Sequence, residues 1–550
     1  MRARAVMVLG TASHVGKSLM TAALCRIAAQ QGWRVAPFKA QNMSLNSAAT
    51  VEGLEIGRAQ ALQAEAAGVA ASVHMNPILL KPAGDMSSQV VVRGRIWGRV
   101  TASDYHLRRV EELMPAVRES YEALAAQNDI VLLEGAGSPA EINLKAHDIA
   151  NMRTAEMADA ACLLVGDIDR GGVFAALLGT FALLEEPEQD RVRGFMINKF
   201  RGDRSLLEPG LRMMEDRLQR PCLGVAPYLR GLRLDEEDSL GLPESYGRGE
   251  KEWPSSSAGD RTGDRTGDRA LRIAVVSLPS FSNFTDFDAL AAEPSVALRF
   301  CRTPEGLKQA DVVIVPGSKQ TADDLQWMRR EGLAQALLDH ARTGLIAGIC
   351  GGMQMLGEEI LDPDGVERAG RRPGLGLLPI RTVMRRRKVT RLVSGRLASR
   401  ALFGSTASET AVSGYEIHVG ETQYSPPASP FAYLDCGPGG GASEEGAEPE
   451  KAGGSSHRDG CVSADGRIFG TYLHGIFDED GFRHRFLAAA RDFHGLGPAP
   501  ALSSWRKMRE ESLNRLAAAV SASLDVGRIF GWAGLPYPSP ALRSGRRSPQ

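Results

Sequence analysis

Residues 6–47 read VMVLGTASHVGKSLMTAALCRIAAQQGWRVAPFKAQNMSLNS, and they decide the fold of the first half of the chain. The apolar run Val6–Leu9 ends in Gly10, a loop closes on Gly16-Lys17-Ser18, and Leu19–Ala29 reads as a helix. Strand, glycine-framed loop and helix together make a cradle for phosphate. Backbone N–H groups point into the loop and the helix N-terminus adds its positive end, while Lys17 neutralises the outer phosphates and the Ser18 hydroxyl reaches a magnesium ion. Gly10 and Gly16 enclose five residues, Thr11–Val15, one more than the usual pattern. The strand before the loop and the helix after it outweigh that irregularity. Gly10, Thr11, Gly16, Lys17 and Ser18 are therefore read as a nucleoside triphosphate site.

Further along, the same strand–loop grammar recurs. Trp33–Pro37 reads as a second strand. Asp129–Leu133 ends in Glu134-Gly135-Ala136-Gly137, Ala161–Val165 ends in the Gly-rich run Gly166–Gly172 that carries Asp167, Asp169 and Arg170, and Gly194–Ile197 ends in Asn198-Lys199-Phe200. These strands are continuously apolar and are separated by helical stretches, among them Gly57–Gly68 and Tyr105–Ala126. That is the pattern of a parallel sheet covered on both faces. Ligands of such sheets sit beyond the carboxyl ends of the strands, where these polar residues lie.

A second α/β pattern begins at Leu271 and continues through Asp311–Gly317 and Leu345–Cys350. The reading is thus two doubly wound α/β domains with mainly parallel sheets, over 1–245 and 271–535. Residues 246–270 repeat Gly-Asp-Arg-Thr with almost no apolar side chains and read as a flexible linker. The Gly/Ser/Glu-rich stretch 437–460 reads as a disordered surface insertion, and 536–550 as a disordered tail.

A chain of 550 residues favours more than one core. Its formal net charge of −1 argues against nucleic acid as a partner. The seven cysteines are scattered without any CxxC pair, so neither a zinc site nor a disulfide framework is expected. The start, MRARAVMVLG, runs straight into the phosphate loop, leaving no room for a signal peptide, and no apolar run reaches the roughly 18 residues of a membrane span. A cytoplasmic protein with no membrane partner is expected; homo-oligomerisation stays open.

The second chemical centre is Gly348-Ile349-Cys350-Gly351-Gly352, at the end of a strand and the start of a helix. Small flanking residues let the chain turn sharply and lift a nucleophile off the sheet, with backbone N–H groups such as that of Gly351 aimed at a developing oxyanion. A helix N-terminus favours thiolate at Cys350. The other cysteines are read as buried small hydrophobes. A thiolate needs a base. His474, in Gly470-Thr471-Tyr472-Leu473-His474-Gly475, is favoured over His418, in Gly414-Tyr415-Glu416-Ile417-His418.

Strand–GICGGMQ–helix with a late Tyr-Leu-His-Gly resembles the class I glutamine amidotransferases, whose fold is flavodoxin-like. The resemblance implies that Cys350 attacks the glutamine amide, that His474 is its base, that Gln354 helps hold L-glutamine, and that Gly317 and Gly351 line the oxyanion hole. That family carries a carboxylate two positions after its histidine. Here Ile476 stands there, so the third member is missing or supplied elsewhere, with Asp478 and Glu479 as candidates.

The N-terminal half resembles dethiobiotin synthetase, a P-loop NTPase-like fold whose phosphate loop has the same five-residue spacing. Over nearly the whole chain, GTASHVGKS, APFKAQNMSLNS, NPILLKP, LEGAGSPAEINL, GDIDRGGVFA, INKFRGD, GYEIHVGET and YLHGIFD resemble the cobyric acid synthase family. That resemblance implies ATP- and glutamine-dependent amidation of the b, d, e and g carboxylates of an adenosylated cobyrinic acid a,c-diamide. ATP and Mg2+ are the implied cofactors, and a corrinoid and L-glutamine the small-molecule partners. Lys17, Lys39 and Asn198 would meet ATP, with Ser18, Glu134 and Asp167 at the metal. Gln41, Asn42, Asp169 and Arg170 would meet the substrate, and Arg93, Arg95 and Arg99 offer it cations. The competing readings are amidation of the a and c carboxylates and a P-loop ATPase with a non-catalytic amidotransferase domain.

Overall fold

The computed structural model describes residues 4–83, 87–101, 104–105, 110–235, 269–398, 401–406, 409–436, 456–499 and 501–537. Most of the expected linker, most of the expected insertion and the tail from 538 on lie outside the described residues. Contacts divide the chain into two units. One comprises Met1–Ser44, Ile56–Leu234 and Arg509–Gln550; the other comprises Leu45–Glu55 and Asp235–Met508.

The first unit is built on a six-stranded sheet in the order Cys222–Pro227, Val192–Phe200, Ala161–Asp167, Arg4–Gly10, Ile130–Glu134, Val35–Phe38, with every pairing parallel. Val6, Val8, Ile130, Leu132, Leu163 and Val165 are buried without residue. Such two-sided burial explains why these strands read as unbroken apolar runs. The register sets Val8 opposite Glu134 and Asp167 opposite Asn198, so the polar residues emerge together at the carboxyl edge. Helix Lys17–Gln30 packs Ala23, Leu24 and Ile27 onto one face. The segment Gln41–Met43 starts a second, four-stranded sheet with Ile78–Ala83, Ser87–Val92 and Arg95–Thr101.

Two boundaries differ from the sequence-derived ones. Leu513, Leu516, Ala517 and Val520 of helix Trp505–Ser523, and Ile529 and Phe530 of helix Val526–Trp532, belong to the hydrophobic cluster of Leu24, Ile27 and Val35. Apolar helical spacing says that a helix buries one face, but not against which sheet. Leu45–Glu55, in turn, belongs with the second unit despite lying in the first tenth of the sequence.

The second unit carries a sheet in the order Val296–Cys301, Leu271–Val276, Val312–Val315, Leu345–Ile349, Ile468–Thr471, Cys461–Val462, parallel except for its last pairing. Beside it stands a mostly antiparallel sheet organised by two long strands, Ile380–Leu397 and Ala411–Tyr424. The basic run Arg385–Lys388 falls at the register shift between Met384 and Val389. His457–Asp459, within the stretch expected to be disordered, forms a strand; Asp459 is buried and accepts the Tyr472 N–H at 3.0 Å.

Candidate functional site

In the first unit, the loop conformation explains its glycines. Gly16 has φ +99°, and a Cβ there would lie 2.2 Å from Asn198 Nδ2; at Gly10 one would lie 2.6 Å from Val15 Cγ2. The left-handed φ of Gly16 disfavours any residue with a Cβ, whereas at Gly10 the Val15 and Lys17 side chains would have to shift to admit one. The Thr11 N–H donates to Val165 O at 3.0 Å, tying the loop to the next strand. Lys17 Nζ reaches back to Ala12 O and Gly137 O, both at 2.9 Å, and so spans the cradle. Asn198 Nδ2 donates to Val15 O at 2.9 Å.

Beneath the loop, Glu134 collects three donors. Ser18 Oγ donates to its Oε1 at 2.8 Å, Lys39 Nζ to the same oxygen at 2.9 Å, and Gln63 Nε2 to Oε2 at 2.6 Å. The Lys39 and Glu134 side chains are 5% and 0% exposed, so each charge depends on the other. Gln63 was not singled out in the sequence; a glutamine within an Ala-rich helix carries no chemical signal of its own. Asp167 pairs with Lys199 at 2.8 Å and accepts the Asp169 N–H at 2.9 Å. Thus Ser18, Glu134 and Lys39 come together, whereas Asp167 is engaged elsewhere. Asp169 is exposed and pairs with Arg201, and Arg170 is exposed. Asn42 is buried and donates to Gln60 at 3.1 Å, and Gln41 accepts from the Tyr105 hydroxyl. The exposed residue of that triplet is Met43, at 52%.

In the second unit, Cys350 follows strand Leu345–Ile349 with φ 50° and ψ −110°, a strained conformation for a residue with a Cβ. Its N–H donates to Thr471 O at 2.7 Å. Helix Gly351–Leu356 starts immediately. A Cβ on Gly352 would fall 1.9 Å from Val315 O, so only glycine permits this crossing. Substitution at Gly317 would put a Cβ 3.1 Å from His474 Cε1, and at Gly351 one 2.9 Å from the Ser318 nitrogen. Gly317 thus borders Ser282 and the His474 ring, and Gly351 borders Ser318 and Thr321. Gln354 is buried, donating to the Tyr472 hydroxyl at 3.2 Å and accepting from Thr321 Oγ1 at 3.3 Å, so its amide is held by protein at both ends.

His474 is fully buried against Cys350, with Tyr415 stacked at 5.4 Å between centroids. The missing carboxylate is Asp286. Its Oδ2 lies 2.6 Å from His474 Nδ1, and its Oδ1 accepts the Gly475 N–H at 3.0 Å. Burial alone would lower the histidine pKa. The Asp286 carboxylate and the Cys350 sulfur, acting as anions beside it, overcome burial and raise it to about 10. With Nδ1 committed to Asp286, Nε2 is left for the sulfur, which suits one proton moving between thiol and imidazole.

The competing candidates are otherwise engaged. His418 Nδ1 bonds Gly420 O at 2.8 Å while its ring stacks on Tyr472 at 3.7 Å. Glu479 accepts from Ser413 Oγ at 3.0 Å, and the carboxylate paired with His474 is that of Asp286. Asp286 sits 188 residues before the histidine. Asp286 lies in the mixed segment Ser280–Asp288, beyond the carboxyl end of strand Leu271–Val276, where three phenylalanines alternate with polar residues and give it no chemical signal of its own.

Two family models match the chain. The CobQ/CobB/MinD/ParA nucleotide binding domain matches residues 6–240, and the CobB/CobQ-like glutamine amidotransferase domain matches residues 272–482. A nucleotide-binding unit and a glutaminase unit in one polypeptide define a glutamine-dependent amidoligase. The chain belongs to the cobyric acid synthase family. It is 49% identical to the cobyric acid synthase of Sorangium cellulosum over 96% of this chain and 99% of that one. Its identity is 46% to that of Moorella thermoacetica, over 98% of each chain. To that of Thermoanaerobacter sp. it is 44%, over 96% of this chain and 98% of the relative. Among the described residues, no helix is long and apolar enough to cross a membrane.

Proposed function

We propose that this chain amidates the b, d, e and g carboxylates of adenosylcobyrinic acid a,c-diamide, using ATP for activation and glutamine as nitrogen donor. The observation that carries the glutaminase half is the buried Cys350–His474–Asp286 array on a strained elbow. Cys350 Sγ attacks the glutamine amide carbon, and Gly317 and Gly351 leave room for the oxyanion. His474 gives its proton to the departing nitrogen, so ammonia leaves as the thioester forms. Water, deprotonated by His474, then releases glutamate and restores the thiol.

In the first unit, the substrate carboxylate oxygen bonds to the γ-phosphorus of ATP as the bond to ADP breaks. Ammonia adds to the acyl phosphate carbon, and phosphate leaves with the C–O bond. Lys17 and the loop N–H groups take up the phosphate charge, and Lys39 neutralises what develops at the transferring group. The hydroxyl of Ser18 and the carboxylate of Glu134 are hard oxygen donors side by side, a set that fits Mg2+. Bound there, the ion would supply charge neutralisation to the β- and γ-phosphates. Asn198 lies against the loop where adenine recognition would be expected.

The test is Cys350→Ala. Glutamine-dependent synthesis is lost, while synthesis from ammonium salts persists at the wild-type rate. Equal activity of the variant with both donors refutes the assignment.

A further inference from the structure

The segment APFKAQNMSLNS is split between the two units: Ser44 closes its part of the first, and Leu45 begins an excursion into the second. Within the second unit this excursion touches the supports of His474 at three points. Asn46 Oδ1 accepts the Phe284 N–H at 3.1 Å. The Ser47 N–H donates to Asn283 Oδ1 at 3.0 Å. Ala49 packs with Tyr415 and Ile417 in a small buried cluster.

Each of those partners is one step from the reacting atoms. Asn283 holds φ 53° and places Nδ2 at 3.3 Å from His474 Nδ1, and the loop it opens carries Asp286. Tyr415 stacks on the His474 ring. Ile417 O lies 3.7 Å from Cys350 Sγ. Asn46, Ser47 and Asn283 are all buried, so these bonds form away from competing water. At its far end the excursion is pinned by the buried ion pair of Glu55 with Lys388.

We propose that Asn46, Ser47 and Ala49, together with Asn283, are positioning residues of the glutaminase site: a short piece of the N-terminal sequence completes the wall that holds His474 and Asp286 in register with Cys350. The inference rests on the glutaminase reading above. Its consequence is that a motif whose neighbours Gln41 and Asn42 were assigned to the amidated substrate acts, a few residues later, on nitrogen release.

The experiment compares full-length Asn46→Ala and Asn46→Asp with wild type, reading glutamate release from glutamine and, separately, amidation with ammonium salt. Asn46→Ala lowers glutaminase kcat about tenfold, the effect of one lost buried acceptor on a pre-arranged site. The glutamine KM moves by less than about twofold, because glutamine itself is not touched. Asn46→Asp keeps the acceptor and restores most of kcat, and ammonia-dependent amidation is unchanged in both. Wild-type kcat in Asn46→Ala overturns the proposal, and so does a parallel loss of both activities that Asn46→Asp leaves uncorrected. Absence of any Cys350-dependent glutamate release in the wild type overturns the glutaminase reading itself.

Discussion

Replacing Asp286 with Asn removes one charge from the glutaminase site and almost no volume. The burial of His474 opposes its charged form, yet the Asp286 carboxylate and the Cys350 sulfur raise its pKa to about 10. Removing one partner of a buried, hydrogen-bonded ion pair costs about 3–5 kcal/mol. Even the lower end of that range, expressed in the transition state, lowers kcat/KM for glutamine on the order of a hundredfold. The substitution also moves the alkaline limb of the pH profile downward from near 10, because the carboxylate that raises the His474 pKa is gone. The assay is glutamate release across the pH range, with ammonia-dependent amidation as the internal control. An alkaline limb that stays near 10, with a rate loss under about threefold, refutes the argument that Asp286 sustains the imidazolium.

Three further outcomes follow from the same structure. Because the folded-state pKa of His474 lies above its unfolded value, the stabilisation from its ion pairs is complete below about pH 6.5 and lost as pH rises through about 10. Urea unfolding should therefore separate wild type from Asp286→Asn at neutral pH and bring the two together above pH 10. Glu134→Gln leaves Lys39 buried without its counter-charge, costing about 3–5 kcal/mol in thermal unfolding, and raises the Mg2+ concentration needed for ammonia-dependent synthesis. Pairing it with Lys39→Met recovers stability but not synthesis. Leu513→Ala, at a fully buried position, should cost about 2–5 kcal/mol and lower the unfolding midpoint of the nucleotide-binding unit.

What could be read from the sequence was local. Lys17, Ser18, Glu134 and Cys350 each end a strand or begin a helix, and the apolar run beside them announces the element. Asp286 was not legible because the family position after His474 is filled by Ile476, and the replacement arrives from another strand end, where only the fold brings it to Nδ1. Residues 45–55 were hidden for a similar reason: three-residue strands have too few positions for periodicity to show a face. The long pair Ile380–Leu397 and Ala411–Tyr424 escaped notice because Arg385–Lys388 interrupts the alternation where the register shifts. Conversely, Asn42 and Gln354 read as ligand-facing polar residues, yet both are buried with their amides bonded to protein. A polar side chain in a motif does not reveal whether it faces a ligand or closes a core.

In the proposed reaction, one chain takes nitrogen from glutamine at Cys350 and installs it on carboxylates activated at the phosphate loop. Incubating the protein with ATP, Mg2+, adenosylcobyrinic acid a,c-diamide and glutamine carrying a heavy amide nitrogen, then weighing the corrinoid product by mass spectrometry, tests it directly. Four acid-to-amide conversions are expected, all with heavy nitrogen, and none with heavy nitrogen in Cys350→Ala. A corrinoid of unchanged mass, or heavy amides formed equally well by Cys350→Ala, contradicts it.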